Sequence, residues 1–316
     1  MKILIFNDME GPSGIDDRQI LEDPELFPTA AKYATEDVNA AIRGIRKAHP
    51  QAVIDIFDGH GMGNNLLVDS LEPNCHYLGG GWMTTFYEMV KKNELTNYDV
   101  ALLLGQHAGE GTMKGFISHT NTGMTQLKVN GQFVGEAPQL AWLFGYFGVP
   151  TPLVVGDDAV SREVKALLPD IQTVVVKKAE SRTKAKSLPL AEAHTLIENA
   201  AFEVLSNYES FSPVTVGLPV TIEINYFDKS LAEVHAKFPK ITRTADRSVK
   251  YVATDYLEGW FAYNVTRVIV ENYRSKAFIN FLKKADQDFT KQQLKAFRAT
   301  IREQYFDDYP FPEVKY

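Results

Sequence analysis

Short apolar runs alternate along this chain with longer stretches whose apolar positions recur every three or four residues. KILIF (2–6), AVIDIF (52–57), DVALLL (99–104), TPLVVG (151–156), TVVVKK (173–178) and VTIEINY (220–226) have the length and composition of buried strands. Between them, 28–48 places Ala31, Tyr33, Ala34, Val38, Ala41, Ile42 and Ile45 on one helical face. Helices are also predicted over 137–148 and 160–168, and after Ser187 and Pro189. The last carries Leu190, Ala193, Ile197, Ala200, Ala201 and Val204 on one side. LKVNGQFV (127–134) reads as a hairpin, because Asn130-Gly131 suits a two-residue type I′ turn. Asp255 and Glu258 have capping-box spacing at the head of the segment containing WFAYNVTRVIV.

Strand–helix alternation of this kind predicts an α/β fold with a mostly parallel sheet flanked by helices. The expected division is an α/β domain over 1–145, a second α/β portion packed on it over 146–275, and a helical C-terminal extension over 276–316. The basic run KKAESRTKAKS (177–187) reads as a solvated loop.

Composition narrows the function. A net charge of −7 and a pI near 5.6 argue against nucleic-acid binding, which calls for a basic face. No apolar run approaches the roughly 20 residues that span a bilayer, so no membrane partner is expected. Met1-Lys2 leads straight into a strand pattern, without the layout of a signal peptide, and Cys75 has no partner for an internal disulfide. A cytoplasmic setting is expected, with Cys75 as a small buried apolar residue.

Ligands in such folds bind beyond the carboxyl ends of the strands, and there the candidate chemistry collects. Asp8 and Glu10 follow the first strand. At i and i+2 of an extended chain they face the same side, with Met9 turned away. Either the strand simply ends at Asn7 and the two carboxylates are solvated or cap a loop, or something cationic lies between them. DGHG (58–61) ends the second strand with His60, and GQHAG (105–109) ends the third with His107, both among glycines that let backbone approach a ligand closely. His119 lies in SHT (118–120), and Glu136 follows the predicted hairpin. His49, His76, His194 and His235 read as structural. Asp8, Glu10 and Glu136 carry three negative charges, and a bridging hydroxide a fourth, which two divalent ions would balance. Mixed imidazole and carboxylate donors suit zinc, with manganese or cobalt as alternatives.

The ordered series DMEG (8–11), DGHG, GQHA, SHT, NGQFVGE (130–136) and GVPTPLVVGDDA (148–159) resembles the zinc-dependent D-aminopeptidases of the bacterial dipeptide-operon type over roughly residues 1–275. The resemblance implies two zinc ions per subunit. Asp8 would bridge them, with Glu10 and His60 completing one site and His107 and Glu136 the other. It implies His119 as the catalytic residue and a homo-oligomeric ring as the assembly. The expected reaction is release of N-terminal residues, D-alanine among them, from short peptides by a hydroxide held between the ions. Alternatives from the residues themselves are a binuclear hydrolase of another amide or a phosphoester, or a non-catalytic assembly protein stabilised by metal. The motifs contain no arginine for a phosphate, and structural zinc sites are typically cysteine-rich. The segment 79–90 with Trp82 falls where a substrate-side element is expected. Asp157 and Asp158 read as helix caps in preference to pocket residues.

Overall fold

The computed structural model describes residues 1–123, 125–285 and 313–316. The chain begins with β1 (Lys2–Asn7), α1 (Gln19–Glu22), α2 (Phe27–Ala48), β2 (Val53–Asp58), β3 (His76–Leu78), α3 (Tyr87–Lys91) and β4 (Val100–Gln106). The strands β5 (Thr125–Val129) and β6 (Gln132–Val134) lead to α4 (Glu136–Tyr146), β7 (Leu153–Asp157) and α5 (Asp158–Leu167). Then come β8 (Gln172–Ala179), β9 (Ala185–Ser187), α6 (Leu190–Ser206) and β10 (Val220–Tyr226). The described helices and strands end with α7 (Lys229–His235), β11 (Thr242–Ala245), β12 (Ser248–Ala253) and α8 (Tyr256–Ala285).

Seven strands form one sheet in the order β3-β2-β1-β4-β7-β8-β9. Its neighbouring strands run parallel except β8 and β9, which are antiparallel. From β1 the chain winds outward through β2 and β3, then returns to β4 on the other side of β1. The winding therefore reverses between β1 and β4, which opens a crevice beyond their carboxyl ends. β1 and β4 are buried throughout apart from the first residue of β1, as strands covered on both faces must be. The apolar face of α2, including Ala34, Val38, Ala41, Ile42 and Ile45, shares one core with Ile3, Ile5 and Ile54 of the sheet and Ile197 and Val204 of α6.

The second sheet is one the strand–helix pattern does not predict. Its order is β11-β12-β10-β5-β6, with antiparallel pairing of β10 to both β5 and β12. Asn130 and Gly131 both have positive φ, 49° and 82°, as a type I′ turn requires. The expected cap of α8 is present: Glu258 N donates to Asp255 Oδ1 at 2.8 Å, while the Glu258 carboxylate reaches back to Thr254 N at 2.7 Å.

The compact units follow the sheets. One comprises 1–121, 134–216 and 314–316, the other 122–133 and 217–313. The boundary expected at 145/146 separates strands that share one sheet, since β7, β8 and β9 continue the order begun by β1 and β4. In the tail, residues 276–285 continue α8, residues 286–312 lie outside the described part, and 313–316 are extended.

Candidate metal centre

Both carboxylates after β1 are buried. Asp8 and Glu10 are each 4% exposed and Met9 is 0% exposed, turned into the core. Solvated carboxylates at a strand end would not be found there. The register is set by the sheet: Asp8 N donates to Leu104 O at 2.9 Å, and Gly11 N to Gly105 O at 2.8 Å.

His60 swings in from the end of β2. Its Nδ1 lies 3.2 Å from Asp8 Oδ1 and 3.2 Å from Glu10 Oε2. Asp58 in the same motif organises the loop, accepting from Asn65 N at 2.6 Å, Asn65 Nδ2 at 2.7 Å and Tyr77 Oη at 2.8 Å. His107 follows β4. Its Nδ1 faces Ala108 O at 3.0 Å, which assigns the ring proton to Nδ1 and leaves the Nε2 lone pair free. That Nε2 is buried, makes no hydrogen bond, and lies 3.6 Å from Asp8 Oδ2 and 3.5 Å from Glu136 Oε1. Glu136 opens α4, where the helix dipole favours a carboxylate. Its Oε1 accepts from Asn121 N at 2.7 Å. The ring of His119 lies parallel to that of His107, with centroids 4.1 Å apart. Its Nδ1 faces Ile117 O at 2.8 Å, and its Nε2 is 3.7 Å from Glu136 Oε1.

The structure thus brings all six expected side chains together. Three triads have donor atoms within 4.8 Å of one another: Asp8–Glu10–His60, Asp8–His107–Glu136 and Glu10–His107–His119. Four nitrogens bonded tetrahedrally to zinc, or their oxygen equivalents, at about 2.0–2.1 Å stand roughly 3.3 Å apart. The imidazole-to-carboxylate separations of 3.2–3.6 Å in the first two triads match that spacing. The Nε2 of His107 adds support, because a buried polar atom without a hydrogen-bond partner costs free energy. The residues therefore fit divalent ions, and the first two triads share Asp8.

Among the described residues, the ion-pairing partners of these three carboxylates are imidazoles alone. Protons and dications compete for the surplus negative charge. Burial, then the neighbouring Glu10 charge, raises Asp8 to about 7. Burial also pushes Glu10 up, but the charge and hydrogen bond of His60 outweigh it and hold Glu10 well below its ordinary value. His107 is raised to about 9: burial opposes its charge, but Glu136, Glu10 and Asp8 prevail. His119 moves the other way, lowered by burial and by the adjacent His107.

Two supporting residues escape a reading of the sequence. Lys177 belongs to the run expected to be a solvated loop. That run instead folds as β8, β9 and their connection, and Lys177 is 1% exposed. Its Nζ donates to the carbonyls of Glu10 at 2.5 Å, Pro12 at 2.9 Å and Ile15 at 2.7 Å, so it closes the loop that carries the first two carboxylates. Burial pushes this ammonium down to about 8, with the Asp157 charge opposing. A charge run gives no hint that one member points inward, because its acceptors lie more than 160 positions away. The second is Glu163 on α5, 0% exposed, which accepts from Gly109 N at 2.7 Å and from Gly135 N. Burial raises its carboxyl to about 7 against the pull of these two donors.

Asp157 caps α5, accepting from Val160 N at 2.7 Å and from Phe116 N at 3.0 Å. Asp158 pairs with Arg162 at 2.6 Å. Trp82, in the segment 79–90, packs edge-on against Phe6 with centroids 5.5 Å apart and is 8% exposed. Cys75 is half-buried, its Sγ 3.1 Å from Glu72 O. Residues 313–316 lie along the loop after His107: Val314 N donates to Gly111 O at 2.6 Å and Met113 N to Val314 O at 2.9 Å.

A donor cluster at the switch point of a doubly wound sheet makes this the candidate metal centre of an α/β enzyme. The chain belongs to the M55 peptidase family, described as D-aminopeptidase, whose model matches residues 1–265. A D-aminopeptidase of Bacillus subtilis (strain 168) is 30% identical over 274 residues, covering 86% of this chain and 97% of that protein. Among solved structures, the Zn-dependent D-aminopeptidase DppA from Bacillus subtilis, a self-compartmentalizing protease, matches with a TM-score of 0.78 and 28% identity. That match covers 86% of this chain and 98% of the other. Family and fold agree on a peptidase, a hydrolase of the α/β class.

Proposed function

We propose that this chain is a zinc-dependent aminopeptidase that removes N-terminal D-residues, D-alanine among them, from short peptides. The observation that carries the metal reading is the pair of triads joined through Asp8, buried with more carboxylates than cations. Asp8, Glu10 and His60 would hold one ion, and Asp8, His107 and Glu136 the other. Zinc bound there supplies Lewis acidity at the scissile carbonyl and water activated at neutral pH. The D-preference rests on the family alone.

His119 is the proton-transfer residue in this reading. The bond to Ile117 O fixes the proton on Nδ1, leaving the Nε2 lone pair toward the cluster. Its side chain is 23% exposed, against 1% for His107, so it reaches where a substrate can enter. Hydrolysis removes one proton from the attacking water and delivers one to the departing amine nitrogen, and Nε2 can serve both transfers.

The test is hydrolysis of matched peptides with N-terminal D- or L-alanine by protein loaded with zinc and by the same protein after chelation. Faster cleavage of the D peptide, lost on chelation without unfolding, is expected. Equal rates or faster L cleavage would reject the stereochemical part, and activity that survives metal removal would reject the centre.

The self-compartmentalizing character of the DppA enzyme supports a closed homo-oligomer, a ring, for this chain as well. Light scattering decides: a mass near 35.5 kDa at micromolar concentration would rule the ring out. No helix among the described residues is long and apolar enough to cross a membrane, which accords with a cytoplasmic enzyme.

A further inference from the structure

Two of the expected metal ligands come from different parts of the chain, and one buried carboxylate ties their loops together. Gly109 is two residues beyond His107, and Gly135 immediately precedes Glu136. Glu163 takes the backbone N–H of each, one on either oxygen. The loops are in backbone contact: a Cβ on Gly109 would meet Gly135 Cα at 2.7 Å, and one on Gly135 would meet Gly109 N at 2.6 Å. The other half of the centre has a hydrogen-bond support of its own, since Lys177 donates to the carbonyls of Glu10, Pro12 and Ile15.

We propose that Glu163 is a positioning residue that sets the distance between His107 and Glu136, and so controls the second metal half-site independently of the first. This inference rests on the two-ion reading above. A carboxylate is required because both of its oxygens accept. Glutamine offers one acceptor and turns an amide N–H toward the other backbone N–H, donor against donor. The contact between the loops then opens at Glu136 and Gly109, while Asp8, Glu10, His60 and Lys177 keep their bonds.

The experiment counts zinc bound per chain while a chromophoric chelator competes for it, for wild type, Glu163→Gln and Val164→Ala. Val164 is fully buried one position along the same helix and touches neither loop through a hydrogen bond, so its truncation controls for lost stability. Wild type is expected to hold two ions. Glu163→Gln should hold one as tightly and bind the second about 10–100-fold more weakly, the usual cost of losing an outer-shell partner. Val164→Ala should lower Tm and keep both. If Glu163→Gln does not fold, Glu163→Asp takes its place; one methylene shorter, it cannot span both donors and should lose the same ion. Two ions held with wild-type affinity, or both weakened equally, overturns the proposal. A wild-type chain that binds no zinc overturns the underlying two-ion reading instead.

Discussion

Each compact unit buries a polar cluster, and the two solve the problem of buried charge in opposite ways. In the second unit Arg267 and Glu271 pair at 2.8 Å along α8, and Thr122 adds a bond to Glu271 at 3.1 Å. His235 is held at both nitrogens, by Tyr226 Oη at 2.7 Å and Thr266 Oγ1 at 2.6 Å. One positive charge meets one negative, and the imidazole stays neutral with both sides occupied. In the first unit, the ion-pairing partners of Asp8, Glu10 and Glu136 among the described residues are imidazoles alone, and His107 Nε2 has no hydrogen-bond partner. A cluster balanced within the chain stabilises the fold, whereas one whose balance needs an ion from outside marks a site.

The sharpest way to break this contrast is to remove histidines from the unbalanced cluster. His60→Ala is expected to lose metal and turnover together. His119→Ala should keep both ions and a folded chain while turnover falls about 10²-fold or more, the scale of general acid–base catalysis. Metal content and turnover measured on the same samples separate the two. If His119→Ala sheds metal as readily as His60→Ala, His119 is a ligand, as the Glu10–His107–His119 grouping would allow.

The balanced cluster should respond in stability alone. Glu271→Ala removes the carboxylate paired with buried Arg267 and is expected to cost about 3–5 kcal/mol. Urea unfolding measures the loss, and zinc content per folded chain should not move. A fall in zinc per folded chain would erase the distinction between the clusters.

A weaker and graded effect comes from acid. Burial, with the Arg267 charge adding to it, holds His235 down to about 4. In the unfolded chain the same ring takes its proton near 6.5. The unfolded state therefore binds the proton first as pH falls. Stability present above pH 6.5 is lost between about 6.5 and 4, by about 3 kcal/mol in total. Urea midpoints followed across that range for wild type and His235→Gln isolate the contribution, which the variant should lack. The smallest change expected is at the head of α8, where Asp255→Ala removes the acceptor for Glu258 N and should cost about 1 kcal/mol with metal binding unchanged.

What could be read from the sequence was whatever local periodicity and short spacing encode. The strands β1, β2 and β4 are continuous apolar runs, and their ends carry the ligands, so Asp8, Glu10, His60 and His107 were visible as a group. The Asn130-Gly131 turn specified its hairpin, and Glu136 followed at a short interval. Features that depend on distant partners were hidden. Lys177 reads as one more solvated cation until the loop of Glu10, Pro12 and Ile15 folds over it. Glu163 looks like the polar position of an amphipathic helix, and only the tertiary fold sets two N–H groups against it. The discontinuous first unit was illegible for the same reason: β5 and most of β6 interrupt it in sequence but belong to the second sheet, where β5 pairs with β10.

The contact between Gly109 and Gly135 also constrains how such a chain can change by mutation. A side chain at either position collides with the backbone of the other, at 2.7 or 2.6 Å. A single base change that replaces one glycine is therefore not rescued by a later change at its partner, because the partner's backbone, not its side chain, is the obstacle. Relief requires the loops to part, and parting moves His107 away from Glu136. Lineages that drift at these two positions should reach a folded protein with one metal half-site before they reach an unfolded one.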